Sequence, residues 1–132
     1  MVKKSIWDDS RREIDCHKLI ESQRAGYDMG ETAVRSWIRD HWRGYLRAKW
    51  LEHLQGRTFW IELDRNDFGL LLSKFQDQPV LLDRVVDRLK SGQENLHVIL
   101  WALDYNIPME SVLAILLALD INSRRLSYQF YE

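Results

Sequence analysis

The chain has 132 residues, with 19 Lys and Arg against 20 Asp and Glu, and 45% of it is hydrophobic. That balance excludes a disordered chain, and it gives no overall field to draw the protein to a polynucleotide or an anionic membrane. The length suits one helical domain, residues 1–132, with a core that needs no disulfide or metal staple.

The charge is mildly polarised: residues 1–60 hold 12 Lys and Arg against 9 Asp and Glu, and residues 61–132 hold 7 against 11. Such an asymmetry favours pairing of two copies. The single cysteine, Cys16, cannot form an internal disulfide. Residues 1–9 contain two lysines but no apolar stretch, so no secretory signal is expected. The longest apolar run, Val112 to Leu119, is far short of a membrane span. A cytoplasmic location and no membrane span are therefore expected.

In chain order, the first helix is predicted from about Ser10 to Ala25, with Ile14, His17, Leu19 and Ile20 as its apolar face and Gly26 as its stop. Tyr27 to Gly30 reads as a tight connection. A long helix follows from about Glu31 to Leu54, with Val34, Trp37, Ile38, His41, Trp42, Tyr45, Leu46, Trp50, Leu51 and Leu54 at spacings of three and four. Gly44 inside it costs about 1 kcal/mol relative to alanine, so it is expected to mark a close helix crossing or a kink.

Residues 58–63 are β-branched and aromatic, which predicts a short extended segment with no obvious partner strand. Asp64 to Asp67 reads as a turn or cap before a helix from about Phe68 to Phe75. Further helices are predicted at 79–90 (Val80, Leu82, Val85, Val86 and Leu89 apolar), 93–105 (Leu96, Ile99, Leu100 and Leu103 inward) and 108–119. The tail from Asp120 either continues as a short helix or crosses the surface. The fold class is thus all-α: a compact bundle of six or seven helices with one short extended segment near 58–63.

The chain holds six tryptophans. Trp37 and Trp42 fall roughly 140° apart at about 100° per residue, so the second helix is apolar over a broad arc and is either central or part of an interface. The last helix, with Val112, Leu113, Ile115, Leu116, Leu117 and Leu119, leaves almost no polar face. It must be covered nearly all round, by the rest of the chain or by a second copy. Trp42, Trp50, Leu113, Leu116 and Leu117 are accordingly the interface candidates.

Arg35, Arg39, Arg43 and Arg47 recur every four residues as one cationic stripe, the arrangement that would hold phosphates. A solvated helix face is the plainer reading, and the acidic balance of the whole chain argues against nucleic acid as partner. His17, His41 and His53 lie near carboxylates, but there is no Glu-x-x-His, His-Glu-x-x-His or Cys-x-x-Cys pattern. No metal and no cofactor are expected, and hydrogen-bonded, buried or half-buried histidines are the better reading. Asp83 and Asp87 share a helix face near Glu94, as magnesium-holding carboxylates do, yet each is followed by arginine, as on solvated faces. No catalytic set is identified, and an enzyme is disfavoured.

Residues 17–30, His-Lys-Leu-Ile-Glu-Ser-Gln-Arg-Ala-Gly-Tyr-Asp-Met-Gly, resemble a segment of uncharacterised bacterial proteins that reads H-K-x-x-E-S-x-x-A-G-x-D-x-G before a helix with spaced tryptophans, here Trp37. The resemblance spans about a quarter of the chain and implies a bacterial origin and no particular activity. It makes His17, Glu21, Asp28 and His41 the polar-site candidates of an alternative enzyme or ligand-binding bundle. The expectation that leads is a small helical interaction or scaffold protein whose partner is itself, as a homodimer, or another protein.

Overall fold

The computed structural model describes residues 2–121 and 123–128 and is built almost entirely of helices. Six α-helices follow in order: α1 Ile6–Ala25, α2 Gly30–Leu54, α3 Leu70–Lys74, α4 Pro79–Lys90, α5 Asn95–Asp104 and α6 Met109–Leu119. Two short strands, β1 Lys3–Lys4 and β2 Phe59–Trp60, pair in parallel. The extended segment expected near 58–63 therefore does have a partner, supplied by residues at the start of the chain.

That pairing explains why α1 begins four residues earlier than its periodicity indicates. Ser5 is the N-cap, its hydroxyl donates to Glu62 at 2.9 Å, and the Ile6 backbone N–H also donates to Glu62. A carboxylate thus meets the unpaired amides at the helix start, where negative charge is favourable. At the other end Gly26 adopts the left-handed conformation that closes the helix, as expected of it.

The second helix, α2, is central. Leu51 and Leu54 belong to one core cluster, with Leu71, Val85, Val86, Leu89, Val98, Val112, Ile115 and Leu119 from α3 to α6. Trp37, Trp42, Leu46 and Trp50 belong to a second cluster, with Ile6, Ile14, Trp60 and Leu63. A helix shared between two cores accounts for its wide apolar arc. Within the second cluster Trp42 stacks on Trp7 at 5.7 Å and on Tyr45 at 5.7 Å, and Tyr128 meets Trp42 edge-on at 5.2 Å.

The loop after α2 is tied to His53, whose side chain is fully buried. Its Nδ1 accepts from the Trp60 N–H at 3.2 Å, which leaves Nε2 to donate to the Asp64 carbonyl at 2.8 Å. Its own backbone carbonyl accepts from the N–H groups of Gly56 and Gly69 at 3.1 and 2.9 Å. Gly56 and Gly69 both have positive φ, and a Cβ on Gly56 would come within 3.3 Å of the Gly69 Cα, so the loop returns through a gap only glycine leaves open.

Gly44 does not mark a close helix crossing, one of its two expected roles. A Cβ there would meet nothing within 4 Å, so no neighbouring helix crosses at that point. The inward face expected of α5 is corrected by the packing. In α5 the buried residues are Val98, Trp101 and Ala102, and Ile99 packs against the core as expected, while Leu96, Leu100 and Leu103 face solvent. A helix apolar almost all round has no unique inward face, and Arg88, 4.1 Å over the Trp101 ring, helps fix the one adopted. In α6 the chain itself buries Val112, Ile115, Leu116 and Leu119 and leaves Leu113 and Leu117 in solvent. Beyond it, the described tail residues cross the surface rather than forming a helix, and residues 122 and 129–132 lie outside the described set.

Candidate functional site

The polar candidates come together only in part. His17 of α1 and His41 of α2 meet edge-to-face at 6.0 Å, with Trp37 6.1 Å from His41. The Nε2 of His17 is buried without a hydrogen-bond partner. Asp40 lies in the field of both histidines, and its hydrogen bonds from the Arg39 guanidinium hold its carboxyl below the usual carboxylate range. Glu21 pairs instead with Arg24 at 3.4 Å. Asp28 folds back to accept from the Gly30 N–H at 2.9 Å, closing the glycine-bounded turn rather than facing the histidines. Among the described residues no group of three or more His, Cys, Asp or Glu is placed to hold a metal ion.

Below this pair, Tyr45 donates from its hydroxyl to Asp9 at 2.5 Å, and Lys49 approaches the same carboxylate at 3.7 Å. Burial, then the hydrogen bond to Asp9, push the Tyr45 phenol above its ordinary value. A raised folded-state value contributes stability that is whole below about pH 10, where the unfolded phenol ionises, and that declines as pH climbs beyond it. In a spectrophotometric titration of the five tyrosines, one is therefore expected to stay protonated until alkaline unfolding, and Tyr45→Phe to flatten the alkaline loss of stability. A variant with the parent's alkaline profile would mean that the phenol is not held this way.

The interface candidates divide. Trp42, Trp50 and Leu116 are core residues, 7%, 9% and 6% exposed, because the broad arc of α2 and the inner face of α6 are covered by the chain itself. Leu113 and Leu117 do stand in solvent, 47% and 81% exposed. Leu96, Leu100 and Leu103 of the neighbouring helix α5, expected inward, are exposed as well. The two helices pack together across the short connection 105–108. Leu96, Leu100 and Leu103 follow the four-then-three spacing of one helical stripe, as Leu113 and Leu117 do with a spacing of four.

The arginine stripe of α2 is broken into separate uses. Arg35 pairs with Glu31 at 2.6 Å and Arg39 with Asp40 at 2.9 Å, both on exposed surface. Arg43 and Arg47 instead line a groove of about 680 Å³, together with Arg124 and Arg125 of the segment after α6. Arg47 reaches Glu94 through two hydrogen bonds of 3.1 and 3.2 Å, which hold that carboxyl below its ordinary value. The cationic cluster in space is thus not the one in sequence. Nothing in the spacing links residues 43 and 47 to 124 and 125; the link is the Trp42 indole N–H, which donates to the Leu126 carbonyl at 2.8 Å.

No protein-family model matches this chain, and no curated protein or solved structure matches it. No helix among the described residues is long and apolar enough to cross a membrane.

Proposed function

We propose that the protein is a self-associating helical adaptor, in which two copies meet through the hairpin of α5 and α6. The observation that carries this reading is the set of five leucines, Leu96, Leu100, Leu103, Leu113 and Leu117, exposed on that hairpin. Together they expose as much as about three fully solvated leucines, and Tyr105 adds an aromatic ring at the connection. Contiguous exposed apolar surface on a monomer marks interaction sites, and two packed helices carrying five exposed leucines are suited to form one.

A second copy is the fitting occupant because a two-fold pairing brings the same patch onto itself, leucine against leucine. The formal net charge of −1 opposes such pairing very little at long range. An enzyme organised around His17, Glu21, Asp28 and His41 has less support, since only His17 and His41 approach one another.

Light scattering across a wide concentration range is expected to give twice the 15.8 kDa chain mass at the upper end. Leu100→Glu or Leu117→Glu, at solvent-facing positions, is expected to weaken pairing at least tenfold with helicity unchanged. Two carboxylates brought near a symmetry axis repel, and like charges juxtaposed in an interface cost several kcal/mol. A chain that remains a single 15.8 kDa species at millimolar concentration rules the proposal out.

A further inference from the structure

The groove beside Gly44 has no part in that pairing, and its composition is unusual for a merely solvated surface. Its floor is apolar, with Trp42, Leu46, Trp50, Ile121 and Leu126. Its rim carries Arg43 and Arg47 from α2 and Arg124 and Arg125 from the C-terminal segment, with Glu94 across from them. At about 680 Å³ it falls within the range of small-molecule sites, roughly 300–1,000 Å³.

The four guanidinium groups are not equivalent. Arg47 is committed to Glu94. Arg124 is fixed in place: it donates to Asp67 at 2.7 Å and to the Leu119 carbonyl at 2.6 Å, and its guanidinium lies 5.0 Å from the Trp50 ring. Arg43 and Arg125 are exposed and bound less tightly: Arg43 lies in the field of Glu94, and Arg125 donates to the Arg124 carbonyl at 3.1 Å. Among the described residues, the four lining arginines are met by Glu94 in the groove and by Asp67 beside Arg124, an excess of two positive charges. The Trp50 indole N–H, on a floor residue about nine-tenths buried, also has no hydrogen-bond partner.

Two further features keep the space open. Gly44 lines the groove in the middle of a helix, where glycine costs about 1 kcal/mol against alanine, yet no packing contact requires it. Any side chain there would project from the groove wall. The opposite wall is held by the hydrogen bond from Trp42 to the Leu126 carbonyl.

We infer that this groove binds a small phosphate monoester, its phosphate taken by Arg43 and Arg125 and its apolar or aromatic body laid along the floor from Leu46 to Trp50. The charge favours a dianionic head group: a monoester carries about −1.5 to −2 at neutral pH, which matches an excess of two guanidinium charges, whereas a monocarboxylate would leave one unmatched. Guanidinium forks also fit phosphate oxygens in geometry. The bounded size and the acidic balance of the chain favour a small molecule over a polynucleotide.

The test is calorimetric titration of the full chain, with tryptophan fluorescence as a second readout. The probes are phenyl phosphate and adenosine monophosphate, set against phenol, phenylacetate, adenosine and single-stranded oligothymidylates of increasing length. At least one of the two monoesters is expected to bind saturably at one per chain. The uncharged parent compounds and phenylacetate should bind at least tenfold more weakly. Arg43→Gln combined with Arg125→Gln should weaken the monoester at least tenfold; both side chains are exposed, so circular dichroism should be unchanged. Glu94→Gln should tighten it several-fold by adding to the excess positive charge.

Absence of saturable monoester binding at millimolar concentration overturns the inference. So does equal affinity for phenol or phenylacetate, or an affinity unaltered in the double variant. Binding of oligothymidylate that strengthens with length beyond a groove of this size overturns it as well, in favour of a polynucleotide track.

Discussion

Replacing His53 with alanine is expected to remove about 3–5 kcal/mol of folding free energy, from the cavity and from two buried groups left without partners. The ring is fully enclosed, with the Phe59 and Phe68 rings at 5.1 and 5.3 Å. Its loss strands the Trp60 N–H and the Asp64 carbonyl together. Against a typical total of about 5–15 kcal/mol, this is a large fraction, readily seen as a lower midpoint in urea unfolding. Two conservative variants separate the bonds. Asn places an acceptor near the Nδ1 position and should restore part of the loss through Trp60; Gln places a donor near Nε2 and should restore part through Asp64. If alanine costs under about 1 kcal/mol, the loop from Gly56 to Gly69 is held by something other than this imidazole.

A loss of similar size is expected for Trp42→Ala, about 3–5 kcal/mol as for other buried large aromatics. This residue stacks between Trp7 and Tyr45, meets Tyr128 at its edge, and holds the C-terminal segment through its indole N–H. Trp42→Phe isolates the last of these roles. It keeps most of the stacking but has no N–H, so the loss in stability should be smaller while the segment around Leu126 loosens. Trypsin cleavage after Arg124 and Arg125 is the sensitive readout. It should accelerate in the Phe variant by more than global unfolding accounts for. Unchanged cleavage would show that the segment is held by its apolar contacts alone.

Much of the helical frame is legible in the sequence, because stop signals and periodicity agree there. Gly26 ends α1, Pro79 opens α4, and the inward set of α4, Leu82, Val85, Val86 and Leu89, follows the expected spacing. Legibility fails where a decisive partner is distant in the chain. The start of α1 depends on Glu62, and β2 depends on Lys3 and Lys4; neither relation leaves a local mark.

It fails also where periodicity is degenerate. The fifth helix is apolar on nearly every side, and its face is set by what packs beside it rather than by its own pattern. Half of the groove is legible, since Arg43 and Arg47 belong to the arginine stripe of α2. Its other half comes from Arg124 and Arg125, which the segment after α6 brings across α2. Of the polar candidates, the helix–turn–helix geometry brings His17 to His41 and leaves Asp28 to close the turn.

The carboxylate that meets the first amides of α1 lies 57 residues after Ser5. At a synthesis rate of about 5–20 residues per second, Glu62 is made some 3–11 s after Ser5. Throughout that interval the nascent α1 has no such acceptor at its start and no second strand beside Lys3 and Lys4. The start of α1 therefore completes its cap only once β2 has been made, while α2 waits longer still, since its bond from Trp42 to Leu126 spans 84 residues. Protease sensitivity around Lys3 to Ile6 in a newborn chain should persist until the ribosome has passed the codons of β2 and Glu62.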